Sequence, residues 1–334
     1  MNRKAGLVAA VALACGLARA ADVPPISIVA TRTGHKPLLQ PGGAAWMATG
    51  AFNPAAASVN GRTILLFRAR DAHDKSSIGY AESTDGAHFT IAPQPALEAA
   101  APEEQGGGVE DPRVLPIGDT WYLTYTAYNL HDAQLALATS SDLKHWQRRG
   151  VILPAYKGAW NEKWTKSGAI VPEQINGRWW MYYLGTKRDA DGQERDYMGL
   201  ASSTDLLHWS DATKQPVLER RPGAFDSRVM EPGPPPLVTS AGILLLYNGA
   251  DDHLVYGPGW VLFDAKDPSK VLARSEHAFI LPALQWERVG TVPNVIFLEG
   301  ATMGRSDAHH IEVTGYYGGA DKYVGAMRIA IEVR

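Results

Sequence analysis

The chain has 334 residues, 20% of them charged, and a formal net charge of −3 with histidine neutral. With charge this balanced and no run of Lys or Arg, a nucleic-acid partner held by a basic surface is excluded. The only cysteine, Cys15, falls in the first twenty residues, which excludes disulfides and thiol chemistry from the remainder.

Residues 1–4 (MNRK) are basic, 5–17 are apolar, and Ala18-Arg19-Ala20 offers a small-residue cleavage site. That order reads as a secretory signal peptide, too short to span a membrane comfortably. Residues 1–20 are therefore expected to be a leader, and 21–334 a single exported domain, periplasmic or at the cell surface. Ala12-Leu13-Ala14 makes a poor lipoprotein cleavage site before Cys15, so a lipid anchor ranks second. Without the leader, 29 basic residues stand against 35 acidic ones, a net charge of −6.

The rest of the chain repeats. Residues 78–89, 135–146 and 198–209 align almost position for position, and their shared aspartates are Asp85, Asp142 and Asp205. A fainter copy at 260–271 supplies Asp267, and a last one survives as the strand pattern at 323–334. Each of the first three copies reads as an alternating strand, a Ser/Thr-Asp turn and a return strand. A further strand precedes each copy, at 61–71, 120–129, 177–186, 242–250 and 310–320. Asn60-Gly61, Gly118-Asp119, Asn176-Gly177 and Ala241-Gly242 supply hairpin turns into four of these. One more short extended segment opens each unit, at 52–59, 109–117, 167–175, 230–238 and 292–300. Five units of roughly sixty residues, each a meander of about four strands, predict an all-β fold, a five-bladed β-propeller with essentially no helix. Pro54, Pro112, Pro232 and Pro293 in the opening segments fit innermost strands with one free edge.

Innermost strands converge on the propeller axis, so their polar residues meet there. That set is Asn53, Glu110, Asp111, Arg113, Ser167, Glu231, Asn294 and Glu299, with Arg68, Arg70 and Asp321 placed to join it. Pro112 is expected to hold Asp111 in extended geometry at a strand edge. Carboxylates, arginines and amides in one channel suit a carbohydrate, and carboxylates kept at different pKa values suit glycosidic cleavage. From the repeat alone, charges that merely satisfy one another around a solvated channel fit equally well. No cofactor or metal is expected: His309-His310 lacks partners at ligand spacing. Ser140 and Ser141 lie in a repeated turn without the glycines of a serine-nucleophile elbow.

Seven motifs follow one another along the chain: VEDPRV at 109–114, TYTAY at 124–128, the repeated DLxHW, EPGPPP at 231–236, DPSKV at 267–271, VPNVIF at 292–297 and YYGGAD at 316–321. In that order they resemble glycoside hydrolase family 130, the β-mannoside phosphorylases and β-mannosidases on five-bladed propellers. The resemblance implies that Asp111 is the proton donor of an inverting displacement, its proton passing through the sugar 3-hydroxyl. It also implies that Asn53, Arg68 and Asp321 hold the mannose. Phosphorylase members carry a Lys where Val229 stands and a His where Asn248 stands, and both basic residues would grip phosphate. Here the neighbourhood offers Glu231 and Glu299 instead, which suit activation of water, although Lys166 retains one basic position. The expected activity is an exported inverting β-mannosidase on β-mannoside oligosaccharides, with β-1,2 linkages first in line. Asp111 would be its acid, Glu231 its base and Glu299 the alternative base, with Arg113, Lys166, Ser167 and Asn294 as further contacts. A phosphorylase is the runner-up, and a non-catalytic glycan-binding propeller the third reading. Substrate length, aglycone and oligomeric state stay open.

Overall fold

The computed structural model describes residues 25–155 and 160–334. The leader read at 1–20, Cys15 included, lies outside those residues. The described chain is all-β. Strand β1 (Ile26–Arg32) comes first, followed by β2 (Gly50–Val59), β3 (Arg62–Arg70), β4 (Ser76–Ser83) and β5 (Thr90–Ile91), which form an antiparallel meander. A second meander comprises β6 (Gly108–Ile117), β7 (Thr120–Tyr128), β8 (Ala133–Ser140) and β9 (Gln147–Leu153). It joins the first through one parallel bridge, Ser76 with Gly108. The third is β10 (Thr165–Ile170), β11 (Trp179–Arg188), β12 (Glu194–Ser203) and β13 (Ser210–Asp211). In the fourth, β14 (Val229–Pro232) and β15 (Leu237–Thr239) both pair with β16 (Gly242–Ala250), which continues to β17 (Tyr256–Phe263) and β18 (Val271–Arg274). The last is β19 (Ile296–Ser306), β20 (His310–Gly319) and β21 (Tyr323–Val333), with β1 as its outer strand.

Local chemistry explains these boundaries. Asn60-Gly61 and Asn176-Gly177 take positive φ at both positions (50° and 75°, 52° and 72°), as tight hairpins require. The repeated aspartates build turns: Asp142 Oδ1 accepts the backbone N–H of Lys144 and His145 at 2.9 and 2.8 Å, and Asp85 and Asp205 do the same one repeat away. Pro54 and Pro232 lie on sheet-edge strands, where a missing N–H leaves no ladder bond unmade. Pro293 does not: the fifth opening strand begins only at Ile296, because Asn294 at φ +59° breaks the extended run before it. The one α-helix among the described residues is a single turn, α1 (Gln285–Arg288).

Apolar side chains fill the spaces between meanders. Leu66 and Ala55 pack with Val114 and Leu123, Tyr182 stacks on Phe263 at 4.4 Å, Leu246 and Leu262 meet Leu298 and Ile329, and Tyr316 closes onto Leu65. Each buried Leu or Ile in such a seam contributes roughly 1.5–3 kcal/mol. The opening strands lie beside one another as well, β2 against β6 and β19, β6 against β10, and β10 against β14. Their polar residues are thereby brought to one place.

Candidate active site

The opening strands of the first three meanders share a defect. Pairing slips between Phe52 and Pro54, between Glu110 and Arg113, and between Lys166 and Ala169. The residues in the slips, Asn53, Asp111 and Ser167, have φ of +46°, +48° and +58°. Asp111 is therefore left-handed rather than extended as its position before Pro112 suggests. The extra residue of a bulge has no ladder partner, and Asn and Asp tolerate this region better than most side chains. Left-handed non-glycine residues cost on the order of 1–3 kcal/mol each and persist where the surroundings fix them. Close packing does so here: a Cβ on Gly318 would lie 2.1 Å from Asn53 Oδ1. Asp321 continues the pattern at φ +50°.

Asn53, Arg68, Asp111, Lys166, Glu231 and Asp321 line one cavity of about 170 Å³, with Tyr256, Val292, Val295 and Phe297 completing its wall. Asn53 Nδ2 donates to Asp111 Oδ1 at 2.9 Å, and Arg68 Nη1 reaches the same oxygen at 3.2 Å. Arg68 Nη2 binds Glu110 at 2.5 Å, and Ser76 Oγ sits between Arg68 Nε (3.0 Å) and Glu110 (3.1 Å). Ser167 donates to Glu231 from beside the cavity. Arg113 is buried beneath: its Nη1 binds Glu299 at 3.1 Å and the Asp111 carbonyl at 3.0 Å, and its Nη2 donates to the Pro232 carbonyl at 2.7 Å. Glu299 thus underpins the floor rather than facing the cavity. Its Oε2, like Asn53 Oδ1, has no hydrogen-bond partner among the described residues. Asn294 contributes its backbone carbonyl to Tyr256 N at 3.0 Å and is not on the wall.

The carboxylates are held in different states. Burial raises Asp111, but Arg68, the Asn53 amide and Arg113 outweigh it and keep its pKa below the ordinary value. Burial pushes Glu231 up to about 7, against the opposing pull of Arg113 and Lys166. Asp321 is pushed up to about 6 by burial, and Glu299 well above its ordinary range for the same reason. Lys166 stays charged: burial works against it, but Glu110, Glu231, Asp196 and Asp111 surround it. One ionised carboxylate and one poised near neutrality, in one small cavity, can hold a polyol and move a proton.

The positions compared with phosphate-gripping residues are occupied structurally. Val229 is buried on β14, paired with Ala250 of β16. Asn248 is fully buried, donating to the Leu298 carbonyl at 2.9 Å and accepting from Leu298 N at 2.8 Å. Its amide fixes the strand that carries Glu299. Sequence reasoning missed Tyr256, Val292, Val295, Phe297 and Ser76, which lie outside the repeated polar positions. The VPNVIF motif at 292–297, which covers Val292, Val295 and Phe297, was the one signal among them.

Residues 19–333 match the family model Glyco_hydro_130, described as β-1,4-mannooligosaccharide phosphorylase. A 1,2-β-oligomannan phosphorylase of Thermoanaerobacter sp. (strain X514) is 35% identical over 305 residues, covering 88% of this chain and 95% of its own. The solved β-1,2-mannobiose phosphorylase of Listeria innocua, in complex with β-1,2-mannobiose, superposes with a TM-score of 0.76 at 26% identity, over 90% of this chain and 96% of its own. Another solved structure represents glycoside hydrolases of this family that target β-1,2 mannosidic linkages in Candida mannan. It superposes with a TM-score of 0.80 at 29% identity, over 92% of this chain and 95% of the other.

Proposed function

The chain belongs to glycoside hydrolase family 130, and from that premise we propose that it hydrolyses β-linked mannosides with inversion, β-1,2 linkages foremost. The meanders would be the five blades of a propeller, a reading supported by the neighbouring opening strands and by cores that join successive meanders. The observation that carries the choice of water over phosphate is the charge of the cavity wall. Asp111, Glu231 and Asp321 face it, while the Asn248 amide is spent on Leu298 and Val229 offers no charge. Those three carboxylates outnumber the two cations on the same wall, Arg68 and Lys166, which disfavours a phosphate dianion, whereas a carboxylate with a pKa near 7 can serve as general base to water near neutral pH.

In this mechanism Asn53, Arg68 and Asp321 hold the terminal mannose, and Asp111 returns a proton to the departing oxygen through the sugar 3-hydroxyl. Glu231 activates water on the opposite face, and Arg113 with Glu299 fixes the floor. The cavity is small, about 170 Å³, which favours action on a terminal residue. Asp111 is ionised beside Arg68, so substrate must draw it away from that guanidinium before it serves as an acid. Export through the leader at residues 1–20, with 21–334 as one catalytic domain, belongs to the same proposal. Its support is the composition of that segment, most of which precedes the family match.

Lys166 on the wall, together with relatives named as phosphorylases, supports the second reading, phosphorolysis. Product analysis by NMR on a panel of β-mannosides separates the two. Free α-mannose at an undiminished rate without phosphate is expected; α-mannose 1-phosphate, or a strict need for phosphate, establishes the second reading. Binding of the panel without turnover would make the protein a glycan-binding module.

A further inference from the structure

Seven residues before Asp111 stands Glu104, 1% exposed although nothing in the cavity touches it. Its Oε1 accepts the Tyr125 hydroxyl at 2.8 Å and Arg148 Nε at 3.0 Å. Its Oε2 accepts the backbone N–H of Ala100 at 2.7 Å and Ala101 at 3.0 Å. Tyr125 belongs to β7, Arg148 to β9, and Glu104 to the crossover that leads into β6. One carboxylate therefore ties the incoming segment to the second and the outermost strand of its own meander.

The same device recurs where another candidate site residue follows. Glu287, seven residues before Asn294, accepts from the Tyr317 hydroxyl of β20 at 2.8 Å and from Arg32 Nε of β1 at 2.6 Å. Asp226, five residues before Glu231, accepts from the Tyr247 hydroxyl of β16 at 2.5 Å and from Arg274 of β18. In each case tyrosine comes from the second strand, arginine from the outermost strand and the acid from the crossover. Among the described residues the first and third meanders show no such acid and present Phe67 under Trp46 at 6.0 Å and Tyr183 under Trp160 at 5.9 Å instead.

Between Glu104 and the site lie Gly106, Gly107 and Gly108, the most easily deformed backbone available. Gly106 and Gly108 take φ of +97° and +104°, and Gly107 lies flat on the Tyr128 ring, where a Cβ would sit 2.1 Å away. Such a segment transmits a fixed geometry only if both of its ends are held. The far end is held by the bridge from Gly108 to Ser76. The near end is held by Glu104.

We infer that Glu104, with Tyr125 and Arg148, is a positioning residue that sets the left-handed turn presenting Asp111, and that Glu287 and Asp226 play the same part for the crossovers leading to the wall residues Val295 and Glu231. The inference rests on the proposed function for its kinetic consequence, but not for its geometry. Two variants test it: Glu104→Gln, and Tyr125→Phe, which removes one hydroxyl and leaves the packing. On protein shown by its unfolding curve to be fully folded at the assay temperature, kcat should fall between about tenfold and a hundredfold, as small misplacements near reacting atoms do. KM should change less, and Arg148→Lys should retain more activity than Arg148→Met. A residue that only stabilises the fold lowers Tm and leaves kcat of the folded enzyme unchanged, and that result overturns the inference. Crystal structures of both variants provide a readout independent of turnover. The 106–111 segment should shift and the Asn53–Asp111 bond be lost; an unmoved Asp111 refutes the inference even if wild-type protein cleaves no mannoside. Absence of wild-type turnover would sink only the functional reading. Should Glu104→Gln fail to fold, Tyr125→Phe decides.

Discussion

Arg68 and Asp111 form an ion pair at 3.2 Å, and the same guanidinium holds Glu110 at 2.5 Å. One cation thus faces two consecutive carboxylates whose side chains are both largely buried. Burial raises both, but for Asp111 it is outweighed by Arg68, the Asn53 amide and Arg113, which hold it below its ordinary pKa, whereas for Glu110 burial and the Asp111 charge outweigh Arg68 and leave it above. A substrate hydroxyl that inserts between Arg68 and Asp111 would weaken this hold and raise Asp111 toward the range of an acid.

Asp111→Asn removes the ionisable oxygen and keeps a side chain that tolerates φ +48° and the contact with Asn53. Turnover of unactivated mannosides should fall by about 10²–10⁴-fold, the usual worth of general acid assistance, with little change in the urea midpoint. Near-normal rates from the purified variant would remove Asp111 from the role of acid.

Arg68→Ala takes charge-assisted hydrogen bonds from the sugar-holding wall and leaves Glu110 and Asp111 without their shared cation. Such bonds are worth about 1.5–3 kcal/mol, so affinity for every mannoside should drop by roughly tenfold or more whatever its leaving group. Calorimetric titration with mannose and a set of mannosides checks this. A loss confined to one leaving group would place Arg68 on the other side of the scissile bond.

Glu231 supplies a pH signature. Burial lifts its pKa from 4.5 to about 7, so the folded chain keeps this proton where the unfolded chain has released it. Its contribution to stability is fully present below about pH 4.5 and is lost as pH rises through 7. Glu231→Gln should therefore flatten the decline in urea midpoint across that window. As the base, Glu231 must be ionised, so kcat/KM should rise with pH along a limb centred near 7, absent in the variant. Azide or formate should partly restore Glu231→Ala. Loss of activity confined to Glu299 variants would transfer the role of base to Glu299.

Gly108→Ala tests the backbone that delivers the pair. At φ +104° an added Cβ would meet the Ser76 carbonyl oxygen at 2.0 Å, and that backbone cannot swing aside. A loss of ~2–4 kcal/mol is expected. Gly192→Ala, at φ +79° in open space on the β11–β12 hairpin, should cost only about 1 kcal/mol. Equal urea midpoints for the two variants would contradict this reading.

The sequence made the meanders legible because Asp85, Asp142 and Asp205 do the same local job three times, binding backbone within three residues of themselves. Local chemistry of that kind leaves a repeated spelling. Asn53, Asp111, Ser167 and Glu231 were legible because the repeat stacks equivalent positions at one place, and the family motifs contain Asp111, Glu231 and Asp321; Lys166 entered only through the comparison with the phosphorylases. The left-handed turn at Asp111 was not, since the rule for a residue before proline describes an unconstrained chain and not a bulge gripped by Asn53 and Arg113. Glu299 reads as a site residue, but its depth depends on Arg113 of another meander. Tyr256 and Phe297 were missed because a wall aromatic looks like any other core aromatic until the backbone is traced. The pairing of β1 has no local mark at all: Ile26 meets Val333, and nothing near either residue announces the other.

That last pairing imposes an order on biosynthesis. β1 emerges first and finds its partner only when β21 is complete, some three hundred residues later. Until then β1 has no strand to pair with, and an uncovered strand edge is a template for neighbouring chains. Closing so long a loop is slow compared with forming any hairpin. β21 must be made before β1 can pair, and during that interval the nascent chain carries β1 as an unattached clasp. A peptide of the β1 sequence, supplied to a chain lacking it, would be the means of fastening that clasp from outside.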